Sequence, residues 1–219
     1  WSRRSRRNHG VASRWQVWRT ASAFALRRRA VVLRPSLALP GLTGCWVRAN
    51  FITSLDGAAT TGGRSGGLGS PGDRALFGLM RELADVVVVG AGTVRAENYA
   101  GAQLGATERA QRQARGQAEV PPIAIVTRSA NLSHDLLVFT HTEVPPLVLT
   151  SHHSAPDARA RLAGLAEVYD CSADDPEQVD PQTMLTALAG IGLGLFGLGQ
   201  ATYSVAANVQ GAAVERALG

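Results

Sequence analysis

The 219-residue chain contains no lysine, so every one of its 22 basic residues is arginine. Such a bias reads as GC-rich coding rather than selection for a cationic surface. Acidic residues are absent from the first 55 positions, where 11 arginines lie; the remaining positions carry 11 arginines against 17 acids. The formal charge of +5 is thus confined to one arm, and the body is acidic, which argues against a nucleic-acid or membrane-surface role for the body. Only two cysteines occur, Cys45 and Cys171, with no CxxC or histidine at ligand spacing, so neither a disulfide framework nor a zinc site is indicated. No metal is expected, and a reducing cytoplasm is the default compartment. No apolar run reaches the roughly 18 residues needed to span a bilayer. The sequence also lacks a G-x-S-x-G elbow, a P-loop, and the H-x-E with P-C-x-x-C of zinc deaminases, which removes those hydrolytic chemistries.

What is present falls into three stretches. Residues 1–45 mix arginine clusters, three tryptophans and short apolar runs without sustained periodicity, and read as a disordered or non-native extension. Residues 46–190 read as one α/β domain. "WVRANFITSLDG" reads as a buried strand ending in a turn, and "SPGDRALFGLMRELA" as a helix capped by Ser70 or Asp73, with Leu76, Phe77, Leu79, Met80 and Leu83 on its inner face. "DVVVVGAGT" supplies four consecutive valines, the mark of a strand covered on both faces. Residues 102–119 suit an exposed linker or frayed helix. "PPIAIVTRS", "PPLVLTS" and Ala166–Asp170 read as further strands, a short amphipathic helix precedes the last, and Asp180 and Pro181 open a helix with Met184, Leu185 and Leu188 inward. Strands alternating with helices predict a layered α/β fold with a largely parallel sheet. Residues 191–219 are Gly/Ala-rich, and glycine at such density predicts neither helix nor strand.

Two stretches carry candidate chemistry. Gly90, Ala91 and Gly92 follow the four-valine strand, and Thr93–Glu97 open the next helix; ligands bind at this edge of open α/β sheets because main-chain N–H groups converge there on anions. The spacing G-x-G-x-x-R lacks the third glycine of a dinucleotide fingerprint, so a tight turn and a ligand loop are equally open. Asp56 in "SLDG" is also an ordinary turn residue, and Ser65, Gly66 and Gly67 repeat the same ambiguity. His141, His152 and His153 read as surface histidines.

Taken together, "VRANFITSLDGAATTGGRSGGLGSPGDRALFGLMRELADVVVVGAGTVRAENY" resembles the reductase domain of riboflavin biosynthesis, the C-terminal half of the bifunctional pyrimidine deaminase/reductase family. The resemblance covers roughly residues 46–190 and implies a three-layer α/β/α, dihydrofolate reductase-like fold. It implies NADPH-dependent reduction of a phosphoribosylamino-uracil, ribosyl to ribityl, with a reductase of a related pterin or pyrimidine as the alternative. By position, Gly67, Thr93, Glu97 and Ser129 match cofactor contacts, Ser65 a substrate contact, and Asp56 the motif carboxylate near the reacting groups. A small-molecule pyrimidine phosphate is the expected partner, with a homodimer open, and no nucleic acid or membrane; binding of nucleic acid or an anionic surface through residues 1–45 is the reading of another class. The family continues after the helix at 181–189 with a strand and a Glu-Gly-Gly-Pro loop, where this chain has "IGLGLFGLGQATYSV" and no acid until Glu215. A fold lacking a central strand at its carboxyl end, and an impaired activity, are therefore expected; both ends read like an altered frame around an intact middle.

Overall fold

The computed structural model describes residues 45–49, 70–196 and 203–208, with side chains described for 70–191. Six strands form one sheet: β1 (Cys45–Ala49), β2 (Val86–Gly90), β3 (Ile123–Val126), β4 (Leu147–Thr150), β5 (Glu167–Asp170) and β6 (Tyr203–Asn208). Their spatial order is β1-β6-β2-β3-β4-β5, and every pairing is parallel. The connections carry helices α1 (Pro71–Leu83), α2 (Ala91–Ala96), α3 (Ala106–Ala114), α4 (Leu137–Thr140), α5 (Ala155–Arg161) and α6 (Pro181–Phe196).

Alternation along β2 builds both layers of core. Val87 and Val89 pack with Met80 of α1, Val94 of α2, Val138 and Phe139 of α4, and Ala158 of α5. Val86 and Val88 point to the opposite face, against Leu188, Met184, Ala187 and Ile191 of α6. A strand sandwiched between helical layers needs apolar side chains at every position, which is why the four valines run without interruption. The fold is the expected three-layer α/β/α arrangement with a parallel sheet.

The helix starts follow their local signals. Ser70 caps α1, its Oγ accepting from the Asp73 amide at 3.1 Å. Asp180 does the same at the start of α6, where the Thr183 amide donates to Oδ2 at 2.6 Å and Pro181 occupies the first turn. Leu185, expected inward, is half-buried and stands apart from the cluster built by its neighbours.

One expectation is sharpened and another corrected. Of the two readings of 102–119, an exposed linker or a frayed helix, the structure has the helix, α3, largely exposed as expected but anchored by Arg112, which is fully buried at 0% exposure. Its Nη1 donates to the carbonyls of Glu82 (2.8 Å) and Ala84 (2.6 Å), and its Nε to Ala118 (2.7 Å). Gln117 donates to the Leu83 carbonyl and to Asp85. These donors satisfy carbonyls that the end of a helix leaves unpaired. Burial pushes the Arg112 pKa down to about 10. The correction concerns the carboxyl end. α6 runs on to Phe196, and β6 fills the central position expected to be missing, with Cys45 opposite Tyr203 and Val86 opposite Val205. Parallel pairing on both sides overrides the weak intrinsic preference of a glycine- and alanine-rich sequence, as tertiary context commonly does.

Candidate functional site

The carboxyl ends of β2, β3 and β4 lie side by side. Gly90 is the register partner of Val126, and Val126 of Leu149, so the turns leaving these strands are neighbours on one edge.

The turn after β2 is bare main chain. Gly90 ends the strand and N-caps α2 in extended conformation (φ −73°, ψ 144°), with no side chain bonding the first-turn amides. No described atom lies within 4 Å of where a Cβ on Gly90 or Gly92 would stand, and neither residue has positive φ. Among the described residues, neither packing nor backbone geometry therefore demands glycine at these positions, and none of them fills the space in front of the two Cα atoms. Ala91 and Thr93 are buried, and Gly92 is exposed. Glu97 ends α2, half-buried, with its amide donating to the Thr93 carbonyl at 2.9 Å; the two side chains are four residues apart and share a helix face.

The loop after β3 has the opposite construction. Thr127, Thr150 and Ser151 are buried hydroxyl residues. Thr127 Oγ1 accepts from the Ala130 amide at 3.1 Å, while the hydroxyls of Thr150 (3.1 Å) and Ser151 (2.9 Å) both donate to the Arg128 carbonyl. Ala130 adopts a left-handed φ of 48°, and its carbonyl accepts from Arg161 at 3.1 Å. Arg128 and Ser129 stand exposed on this braced loop. Arg95 of α2 donates to the Asn131 carbonyl at 3.3 Å and links the two turns.

Beyond β4, His152 and His153 are exposed, as is His141. His152 Nδ1 lies 2.6 Å from Asp170 Oδ2, and His153 Nδ1 lies 3.2 Å from Glu177. Burial alone would raise the Asp170 carboxyl, but the Ser172 amide at 3.0 Å and the His152 ring outweigh it and hold the carboxyl below its usual value. Cys171 is buried, and desolvation followed by the Asp170 charge pushes its thiol up to about 11.

The structure thus gathers Gly90, Ala91, Gly92, Thr93, Glu97 and Ser129 at one edge of the sheet. Asp56, Ser65 and Gly67 lie outside the described residues. Sequence reasoning missed the Thr127, Thr150 and Ser151 bracing; its only trace is a hydroxyl residue at the end of each of two strands, "VTRS" and "LTSH".

The family model of the RibD C-terminal domain matches residues 45–194, and the chain belongs to that family. The family is that of the riboflavin-pathway pyrimidine reductases, so the chain's class is reductase. Among solved structures, a pyrimidine reductase-like protein from Corynebacterium diphtheriae is 24% identical, with 80% of this chain and 72% of that chain covered at a TM-score of 0.59. The riboflavin biosynthesis reductase Rib7 of Saccharomyces cerevisiae is 18% identical, with 81% and 69% covered and a TM-score of 0.52. Acinetobacter baumannii RibD is 18% identical at a TM-score of 0.54, with 80% of this chain but 42% of that chain covered. This chain therefore spans under half the length of that RibD. At these identities the likeness establishes the fold, the dihydrofolate reductase-like one of RibD reductase domains. The comparison with curated proteins finds no match. No helix among the described residues is long and apolar enough to cross a membrane.

Proposed function

We propose that the chain reduces a phosphoribosylamino-pyrimidine with NADPH, converting its ribosyl group to a ribityl chain. The observation that carries this reading is the open main-chain turn at Gly90–Thr93, placed at the carboxyl edge of a parallel sheet in a chain of the RibD C-terminal family. The residues present suit a dinucleotide phosphate: two glycines before which no described residue stands, amides at the start of α2 that no described side chain caps, and exposed Arg128 and Ser129 on the adjoining loop. Gly90, Ala91, Gly92, Thr93, Glu97 and Ser129 would hold NADPH, with Gly67 as a further contact from the preceding loop. When bound, the dinucleotide supplies the hydride, and the chain's own task is to bind, orient and exclude water. Ser65 would hold the substrate, and Asp56 would serve the reacting groups by holding or moving a proton.

Titration of the purified chain with NADPH, followed by fluorescence, tests the reading directly. Binding in the micromolar range and substrate-dependent loss of absorbance by the reduced nicotinamide are expected; a chain that binds no NADPH refutes it. Thr93→Val keeps the volume of a buried side chain and removes its hydroxyl, so it should weaken NADPH binding by about three- to tenfold, the worth of one hydrogen bond. Unchanged affinity would remove Thr93 from the site.

A further inference from the structure

The β3–β4 hydroxyl cluster has a directional consequence. Thr150 and Ser151 are both at 0% exposure, and a hydroxyl buried that deeply is costly unless it is hydrogen-bonded. Both donate to a single acceptor, the carbonyl oxygen of Arg128, filling its two lone pairs. The peptide that follows is trans. A trans peptide holds the carbonyl of one residue and the amide N–H of the next in one plane, pointing in opposite directions across the C–N bond. With the Arg128 oxygen held by Thr150 and Ser151 on the β4 side, the Ser129 amide is directed away from β4, toward the side on which β2 and its turn lie. No described backbone or side-chain group accepts from it. Ser129 Oγ accepts only the longer Asn131 amide contact of 3.4 Å, which leaves its own proton available as a second donor.

We infer that Thr150 and Ser151 are positioning residues which aim the Ser129 main-chain N–H as an anion donor, directed at a phosphate of the bound nucleotide. The inference rests on the NADPH reading of the same edge for the identity of its ligand. The donor arrangement itself is general to phosphate: an amide directed toward the β2 side, an adjacent hydroxyl and the exposed Arg128 on the same short loop. The Ala130 amide bonded to Thr127 Oγ1 and the Arg161 contact to the Ala130 carbonyl keep the loop from relaxing around this peptide.

The test reads the amide itself. Titrating the nitrogen-15-labelled full chain with inorganic pyrophosphate should shift the Ser129 N–H resonance downfield, saturably. In Ser151→Ala and in Thr150→Val the shift should shrink, and Ser151→Thr and Thr150→Ser should restore it. NADPH affinity should fall about three- to tenfold in the two disrupting variants, with KM for NADPH rising more than kcat falls, whereas a purely structural role would lower the folded fraction and leave KM unmoved. A wild-type Ser129 amide that pyrophosphate leaves in place overturns the inference, as do folded variants that keep the wild-type shift. Failure of NADPH to bind the wild type while pyrophosphate still moves Ser129 refutes the reductase reading alone and supports the aimed amide.

Discussion

The turns after β2 and β3 stand side by side, yet they are held in place in different ways. Among the described residues the Gly90–Thr93 turn has no side-chain cap and no packing at its glycines, whereas the Thr127–Asn131 loop is fixed by buried hydroxyls from two strands and by two arginines. The bare turn is instead secured from the far end of its strand. Arg112 ties down the Glu82 and Ala84 carbonyls just before β2 begins, so the strand enters the sheet from an anchored point. One turn at this edge is thus main chain with its support at the far end of its strand, while its neighbour carries its support within the loop itself.

Four substitutions break or sharpen this contrast. Arg112→Met keeps the stem and removes the donors, leaving the buried Ala84 carbonyl without its partner and the Glu82 carbonyl with Arg115 alone; a loss of about 3 kcal/mol in denaturant unfolding is expected, the largest of the four effects. A loss under about 1 kcal/mol would show that the β2 turn does not depend on this remote anchor. Thr150→Val, within the braced loop, should cost about 1 to 2 kcal/mol in the same measurement. Gly92→Val should be close to neutral in thermal stability, because nothing described occupies the space of the new side chain, but it should weaken NADPH binding tenfold or more. A marked destabilisation there would mean that the turn is packed after all.

The smallest effect concerns the opposite face of the sheet, where α6 is fixed by its first turn. The Thr183 amide and hydroxyl bonds hold the Asp180 carboxyl below its usual value. A carboxyl whose folded pKa is depressed stabilises above its unfolded pKa and loses that contribution as pH falls through the folded one. The difference in melting temperature between the wild type and Asp180→Ala should therefore be constant near neutrality, begin to shrink near the ordinary carboxyl pKa of about 4, and disappear only below the depressed folded pKa. No difference at neutral pH would assign the helix start to Pro181 rather than to the carboxylate.

Much of this architecture is legible in the sequence where the determinants are local. Ser70 and Asp180 announce their helices, four valines announce a strand covered on both faces, and "GAGT" marks the turn that follows. The missed elements depend on distant partners. Arg112 sits in a segment of Gln, Arg and Ala whose polarity reads as solvent exposure, and only the carbonyls of Glu82 and Ala84, some thirty positions earlier, explain its burial. Thr150 and Ser151 look like an ordinary strand end until Arg128 is brought beside them. The glycine spacing around residues 191–199 conceals both the extension of α6 and the strand behind it, since β6 owes its conformation to β1 and β2 on either side.

The position of β6 also sets an order of assembly. It leaves last of the six strands yet lies between the two earliest, pairing Tyr203 with Cys45 and Val205 with Val86. While the chain emerges, β2 through β5 can zip together from near neighbours, but among the described strands β1 meets its partner only when the carboxyl-terminal segment returns. That final step closes the longest loop in the domain, the kind of non-local contact that slows folding. Until it is made, the unsheltered β1 and β2 edges are where a chaperone, or a second nascent copy of the chain, would find its template.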